Sequence, residues 1–361
     1  MIYLHAGLHK TGTTSIQECF KVYRKELISH SINAYPHNAG NFFVYDRKKQ
    51  NPSILSGQGL QINKRYVQSN IKAFKSSAKT HVISAEVLSW LFEEEQIQNL
   101  FDAIAPSFDD IKVIFYIRRQ DKLLFSFYQQ GMKAPFSLNN MFFDADKIRP
   151  TFDSGYYDQY LNYRARIESW AKVFGQKNII IRVMDTNTLI GNDSVLDFLS
   201  ILDCQLPYQS IRMNEAGGLE LTKLRAIYSA RNQSKIVTAL LRRVISTEKF
   251  IPDKATAMNV YNGHREDNIL LNKRFKINSC KALFSENFDD YSEKGSSLWD
   301  DKTASSAITQ LFENISDLGF LHLLHEYIHS FKNRLRLPLV KLILLRLRFF
   351  YYRLGVLFKW L

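Results

Sequence analysis

The chain has 361 residues, of which 45% are hydrophobic and 23% charged. This composition is typical of a globular protein with a sizeable core and excludes a largely disordered chain. The formal net charge of +13 favours an anionic partner: a nucleic acid, an anionic lipid surface or a phosphorylated nucleotide. Nucleic acid is the weakest of these, because the chain has no zinc-finger spacing, RNA-binding aromatic motif or Lys/Arg-rich arm.

A loop with two glycines and four hydroxyl side chains follows the first predicted strand. The apolar residues 1–4 predict a buried strand, and the apolar positions 16, 19, 20 and 23 share one face of a helix. Gly7 and Gly12 lie in the loop between them. A strand, such a loop and a helix N-terminus typically bind phosphate, because the loop N–H groups turn inward and the helix dipole is positive there. The alternative is a Gly/Thr-rich turn that only begins a helix.

The loop departs from the ordinary nucleotide-binding motif, in which a lysine follows the second glycine. Thr13 takes that position here, and Lys10 precedes Gly12. The run Lys10-Thr11-Gly12-Thr13-Thr14 resembles the 5′-phosphosulfate loop of sulfotransferases, which use 3′-phosphoadenosine 5′-phosphosulfate (PAPS). The resemblance implies that Lys10 contacts the bridging oxygen and the 5′-phosphate. It also implies that the N–H groups of Thr11, Gly12, Thr13 and Thr14, with the hydroxyls of Thr13 and Thr14, hold the phosphosulfate, and that Ser15 belongs to the same cofactor-binding loop.

Apolar runs and helical patterns alternate through the middle of the chain, whereas the turn signals of 24–78 predict surface excursions. The alternation predicts an open, mostly parallel, P-loop-like α/β sheet with helices on both faces and ligands at the carboxyl ends of its strands. Residues 134–157 predict an insertion over the active site or a poorly ordered loop. Further strands are predicted at 81–85, 111–117 and 178–183, and helices at 87–92, 96–104, 160–174 and 195–202.

A second motif begins where strand 111–117 ends. Arg118 stands at the carboxyl end of the strand, and Ser126 lies two turns into the next helix, so both side chains can face one ligand. This resembles the second sulfotransferase signature, in which a strand-end arginine and a helix serine bind the 3′-phosphate of PAPS. The proline usual after the arginine is absent, so Arg119 is an alternative. The alternative interpretation of the motif is that Arg118 only ends a strand and Ser126 is an ordinary residue on a helix face. The resemblance covers residues 1–20 and 80–130 and weakens towards 288.

Lys10 is the candidate catalytic cation, and the catalytic base has two main candidates, Glu86 and His9. Glu86 follows strand 81–85 on the expected ligand side, and several carbohydrate and protein sulfotransferases use a glutamate base. Otherwise Glu86 is an acid that favours a helix N-terminus. His9 and His5 flank the loop and are the alternatives, with His5 the structural residue of the two. No Asp/Glu arrangement indicates a magnesium site, so no metal is expected.

The C-terminal segment 331–361 has eight Lys and Arg residues and no acid. Its charges exclude a bilayer-spanning helix. As an amphipathic helix it fits an anionic membrane surface, or else packs against protein. We therefore expect a sulfotransferase domain over 1–330 and a basic C-terminal helix over 331–361.

The resemblance implies a bacterial, PAPS-dependent sulfotransferase, and together with the basic C-terminal segment it implies an acceptor hydroxyl on a carbohydrate of a surface polysaccharide, lipid-linked sugar or glycolipid. The alternatives are a P-loop nucleotide kinase and an inactive nucleotide- or membrane-binding protein of the same fold. No signal peptide or N-terminal span is recognised, and Cys19, Cys204 and Cys280 predict buried free thiols. We therefore expect a cytoplasmic protein, peripheral at the inner membrane face if the basic helix binds lipid.

Overall fold

The computed structural model describes most of the chain up to residue 317. Three expectations lie outside the described residues: the insertion at 134–157, the basic helix at 331–361 and the boundary near 330. The described residues are 1–36, 39–44, 59–133, 158–185, 188–209, 218, 221, 224, 241, 243–245, 251–295 and 301–317.

Five parallel strands form the sheet, in the order β2-β3-β1-β4-β5. The strands are β1 Ile2–His5, β2 Ile32–Ala34, β3 Thr80–Ser84, β4 Ile111–Ile117 and β5 Ile179–Val183. The central strands are near-continuous apolar runs because helices cover both faces of the sheet. The predicted parallel α/β sheet is confirmed.

Strand register brings three carboxyl ends to the same edge of the sheet. His5 of β1 is level with Ser84 of β3 and with Ile114 of β4. The chain leaves β1 between these two neighbours, so the loop that follows opens at the edge where parallel sheets bind ligands.

Helices pack on both faces. One face buries Leu4, Ile83 and Val113 together with Trp170, and the other buries Ile114 with apolar side chains of the first and ninth helices. The helices are α1 Thr13–Val22, α2 Arg24–Ser29, α3 Gly40–Phe43, α4 Lys64–Phe74, α5 Glu94–Ile104, α6 Gln120–Lys133, α7 Asp158–Leu161, α8 Tyr163–Phe174, α9 Ser194–Ile201, α10 Lys254–Asn262, α11 Arg265–Phe275 and α12 Asp301–Asp317. None of the helices in the described part of the chain has the length and apolar character of a membrane span.

The prediction of surface excursions over 24–78 is wrong for much of that range. It contains the edge strand β2 and the helices α2 to α4, and it contributes the buried Phe43, Val67 and Ile71. Asn63 caps α4 by accepting a hydrogen bond from the N–H of Tyr66. The three residues of β2 are too few to show a strand period, so only pairing with β3 reveals them.

Two predicted helices also differ in detail. The segment 160–174 is broken at Asn162, whose side chain accepts a hydrogen bond from Ala165 and so begins α8. The segment 87–92 instead forms a 3₁₀ turn over Glu86–Trp90. Cys19 is buried as expected, and burial raises its pKa to about 12, whereas Cys280 is exposed and contradicts the expectation of three buried thiols.

Candidate active site

The loop between β1 and α1 is held by its own backbone and by β4. The N–H of Ala6 donates to Ile114 O at 3.0 Å, which extends the pairing of β1 with β4 beyond the strand. Lys10 and Gly12 then adopt left-handed backbone angles, with φ of 62° and 82°. The hydroxyl of Thr11 donates to Leu8 O at 2.5 Å. The Thr11 side chain therefore stabilises the loop.

The N-terminus of α1 faces this loop without a cap. Gly12 is the N-cap residue, no side chain caps the helix, and its first turn carries no acid. The N–H groups of Thr13, Thr14 and Ser15 have no acceptor within the helix, since the first intrahelical acceptor is Gly12 O, which Ile16 uses. The hydroxyl of Thr13 is buried and has no hydrogen-bond partner among the described residues. Helix dipole, N–H groups and this hydroxyl together have the chemistry to bind an anion.

Both loop glycines are required by their surroundings. A Cβ at Gly12 would overlap the Ser194 side chain at the start of α9, and the positive φ of Gly12 already disfavours other residues. A Cβ at Gly7 would lie inside van der Waals contact with Nε2 of His5. The glycine spacing thus reflects two close approaches, one from α9 and one from β1.

Arg118 is brought against the loop by the end of β4. One guanidinium N–H donates to Lys10 O at 3.4 Å, and Tyr163 donates its hydroxyl proton to Arg118 O at 2.6 Å. Burial lowers the pKa of the guanidinium, but arginine remains charged at physiological pH. Within the described residues Arg118 forms no salt bridge, so its charge is available to a ligand beside the loop.

Arg119, the sequence alternative, has a different role. It is 5% exposed and forms a bidentate ion pair with Asp121, with N–O distances of 2.8 and 2.9 Å. The same guanidinium donates to Ser285 O and Asn287 O and lies 4.1 Å from the Phe288 ring centre. Arg119 therefore anchors the segment 285–288 to the sheet, and Arg118 is the arginine at the loop.

Ser126 lies half-buried on α6, in the helix that follows the arginine pair. No hydrogen bond joins Ser126 to Arg118, although the structure describes both side chains. Its role with a 3′-phosphate stays a prediction.

His9 lies in a cluster of aromatic side chains at the mouth of the loop. Its Nδ1 is 2.8 Å from Tyr160 Oη and 3.2 Å from Ser89 Oγ, and its main-chain N–H donates to Tyr160 Oη at 3.4 Å. The rings of Trp90 and Phe127 lie 5.7 and 5.2 Å from the imidazole. Sequence reasoning missed Tyr160, which is 151 residues away; its position at the start of a helix is not a recognisable signal.

Glu86 is the first residue of the 3₁₀ turn after β3 and is half-buried. The same turn carries Ser89 and Trp90, which contact His9. The two candidate bases are therefore at one edge of the sheet, as the sequence predicts. No basic side chain of the described residues forms an ion pair with the carboxylate of Glu86. The described residues also contain no cluster of three or more metal-binding side chains.

Fold and site together define a parallel α/β protein whose first loop, with Arg118 beside it, is suited to an anionic ligand. No family model matches the chain. An uncharacterized protein of Archaeoglobus fulgidus is 31% identical over 96 residues, which are 27% of this chain and 23% of that protein. The match thus spans less than a quarter of that relative.

Solved structures similar to this chain include a sulfotransferase from Alicyclobacillus acidocaldarius, with 12% identity and a TM-score of 0.43 over 76% of this chain and 96% of that one. Retinol dehydratase in complex with androsterone and the inactive cofactor PAP has 12% identity and a TM-score of 0.25 over 88% and 80% of the two chains. Its complex with retinol and PAP has 11% identity and a TM-score of 0.23 over 88% and 81%.

Proposed function

We propose that this chain is a sulfotransferase that uses PAPS as the sulfuryl donor. The supporting observation is the pairing of two features that suit the two anionic ends of this nucleotide. Among the described residues, the α1 N-terminus has no side-chain cap and the Thr13 hydroxyl has no hydrogen-bond partner, and both features suit a 5′-phosphosulfate. The Arg118 guanidinium, which forms no salt bridge with a described residue, suits a 3′-phosphate. A nucleotide kinase would need a lysine where Thr13 stands.

Each part of the site has a separate role in the proposed binding of PAPS and transfer of its sulfuryl group. The N–H groups of 11–15 and the Thr13 hydroxyl bind the phosphosulfate, and Lys10 places a positive charge at the oxygen that bridges phosphorus and sulfur. Arg118 and Ser126 hold the 3′-phosphate. PAPS, when bound, supplies the sulfuryl group for transfer to an acceptor hydroxyl. By analogy with phosphoryl transfer, orientation and charge stabilisation provide most of the rate enhancement.

Glu86 is the proposed base that removes the acceptor proton, with His9 as the alternative. The carboxylate of Glu86 lacks an ion-pair partner among the described residues, whereas Nδ1 of His9 is engaged by Tyr160 and Ser89. A glutamate base in this position is also what the resemblance to carbohydrate sulfotransferases implies.

The proposed acceptor is a carbohydrate hydroxyl on a polysaccharide, lipid-linked sugar or glycolipid. Support comes from the glutamate and from the basic segment 331–361, whose eight cationic residues suit an anionic membrane surface. The proposed location is the cytoplasm, at the inner membrane face. Vesicles containing anionic lipid should then bind the full chain, and replacing Arg346 and Arg348 by Gln should weaken that binding. Equal binding to neutral vesicles would contradict the electrostatic part of the proposal.

Binding of adenosine 3′,5′-bisphosphate, compared with ATP and magnesium, tests the donor. The bisphosphate should raise the melting temperature, because a ligand that binds only the folded protein stabilises it. Lys10→Ala and Arg118→Ala should each weaken binding by about 10- to 100-fold, the worth of one charge-assisted hydrogen bond. Stabilisation by ATP–magnesium alone would replace the proposal with a kinase. No stabilisation by either nucleotide would remove the donor assignment.

Turnover of PAPS with a panel of sugar acceptors tests the base. Glu86→Gln should lower kcat by about 10²- to 10⁴-fold without changing bisphosphate affinity. His9→Asn is the matched variant, and a larger loss there would assign the base to His9. Bisphosphate binding with no turnover by the wild type, and no effect of Glu86→Gln, would indicate an inactive nucleotide-binding protein.

A further inference from the structure

His5, the last residue of β1, lies directly beneath the loop. It is fully buried, with the rings of Tyr116 and Phe198 at 5.5 and 5.2 Å. Of its ring atoms, Nε2 is nearest to the position that a Cβ at Gly7 would occupy. The imidazole therefore lies directly beneath the loop at Gly7, and Nε2 is the ring atom nearest the loop.

Hydrogen bonds on the other side of the ring determine which nitrogen carries the proton. Nδ1 of His5 lies 2.9 Å from Ser84 Oγ. The Gln17 amide, on α1, donates to both Ser84 Oγ and Ser84 O, at 3.3 and 3.2 Å. The Gln17 amide nitrogen can only donate to Ser84 Oγ, so Nδ1 of His5 is the acceptor that the described residues offer to the Ser84 hydroxyl proton. The network thus assigns the ring proton to Nε2. Burial lowers the pKa of His5 to about 3, so the ring is neutral at physiological pH.

Nε2 is buried and has no hydrogen-bond partner in the part of the chain that the structure describes. Buried donors in native proteins are almost always paired with protein, water or ligand, so an unpaired one requires an explanation. The second unpartnered group in this region is the Thr13 hydroxyl, at the start of α1. The two unsatisfied groups belong to the two elements that the loop joins, one below the loop and one at the helix N-terminus. The neighbouring β1 residues Ile2 and Leu4 are buried and apolar, so a purely structural residue here would not need a polar end facing Gly7.

We infer that the Nε2–H of His5 donates a hydrogen bond to an oxygen of the anion held by the loop. Under the proposed function, on which the identity of the anion rests, that oxygen belongs to the 5′-phosphosulfate. His5 then acts as a neutral donor, and Ser84 and Gln17 are positioning residues that fix its tautomer. This changes the role expected from the sequence, where His5 is a structural strand-end residue.

Asn and Gln substitutions separate this role from simple packing, because each retains one of the two ring nitrogens. In His5→Asn the side-chain amide occupies the place of Nδ1 and keeps the contact to Ser84, whereas in His5→Gln the amide reaches the place of Nε2. We expect His5→Asn to weaken bisphosphate binding by about 10- to 100-fold. His5→Gln should bind within about threefold of the wild type. Adenosine 5′-phosphate should show the same loss, and adenosine 3′-phosphate should show none.

The experiment is titration calorimetry of wild type and both variants with these nucleotides and with inorganic phosphate, after circular dichroism confirms folding. Unchanged bisphosphate binding in His5→Asn overturns the inference and leaves the proposed function intact. Equal losses in both variants, or an equal loss for adenosine 3′-phosphate, assign His5 a packing role and also overturn it. If the wild type ignores the bisphosphate but binds phosphate more tightly than His5→Asn does, the proposed function fails and the His5 contact stands. If the wild type binds neither, both fail.

Discussion

Gly7→Ala adds a single methyl group at the point where the loop passes over His5. The new Cβ would lie 2.9 Å from Cδ2 and Cε1 of the imidazole and closer still to Nε2, against an ordinary carbon–carbon separation of about 3.5–4.0 Å. Gly7 is not in the left-handed backbone region, so alanine suits the backbone and the effect isolates the clash. The ring is fully buried and held by Ser84, so it has little room to move.

The expected cost is that of overpacking, about 1–3 kcal/mol of unfolding free energy. Urea denaturation of Gly7→Ala, His5→Ser and the double variant forms a cycle that measures it. Because serine at position 5 removes the ring, Gly7→Ala should cost little or nothing in that background, giving a coupling of about 1–3 kcal/mol. Bisphosphate binding should fall in the single Gly7→Ala variant, since the loop must shift.

Gly263→Ala provides a control of the same chemistry. A Cβ there meets only the carbonyl oxygens of Asn259 and Val260, both at 3.7 Å, which is ordinary contact. This variant should be neutral or slightly stabilised, by up to about 1 kcal/mol. The reasoning is refuted if Gly7→Ala is as stable as Gly263→Ala and binds the bisphosphate normally. An equal cost of Gly7→Ala with and without the His5 ring refutes it as well.

Acid should destabilise the protein through His5. Its pKa is about 3 when folded and 6.5 ordinarily, so the unfolded chain binds an extra proton between these values. The contribution of His5 to the free energy of unfolding is intact above pH 6.5 and falls by about 1.4 kcal/mol per pH unit below it. Urea denaturation at pH 4–7 should therefore show that the free energy of unfolding depends less steeply on pH in His5→Asn than in the wild type. An identical pH dependence in the two proteins would contradict this. Arg119→Met removes the ion-pair partner of the buried Asp121, which keeps only a hydrogen bond from the Tyr291 hydroxyl at 2.6 Å among the described side chains, and should cost about 3–5 kcal/mol of stability, with unchanged bisphosphate affinity in the folded fraction. Arg118→Met should weaken bisphosphate binding and leave the stability almost unchanged. If the two variants change stability and affinity in the same way, their assigned roles are contradicted.

The sequence by itself predicts the elements that depend on local order. The strand β4 is found at residues 111–117 as predicted, because a near-continuous apolar run between turn signals, interrupted only by Lys112, is sufficient for a buried strand. The start of α9 after Asp193 is likewise predicted by local capping, since the Asp193 side chain accepts from the N–H groups of Val195 and Leu196. The loop 5–15 follows from glycine spacing and a helix start.

Only the tertiary structure distinguishes Arg118 from Arg119. The two residues are adjacent and chemically identical, and the difference arises because the distant segment 285–288 offers its carbonyl oxygens to Arg119. The contact between His9 and Tyr160 has the same origin, since it joins residues 151 positions apart.

His5 shows most directly what the local sequence does not determine. As a residue in the sequence it is a strand-end histidine, and nothing local separates a packing role from a ligand contact. The fold places Gly7 over Nε2 and supplies Ser84 to Nδ1 from a neighbouring strand. Which nitrogen lacks a partner depends on groups that the chain brings together only when the sheet forms, and local sequence carries no record of those distances.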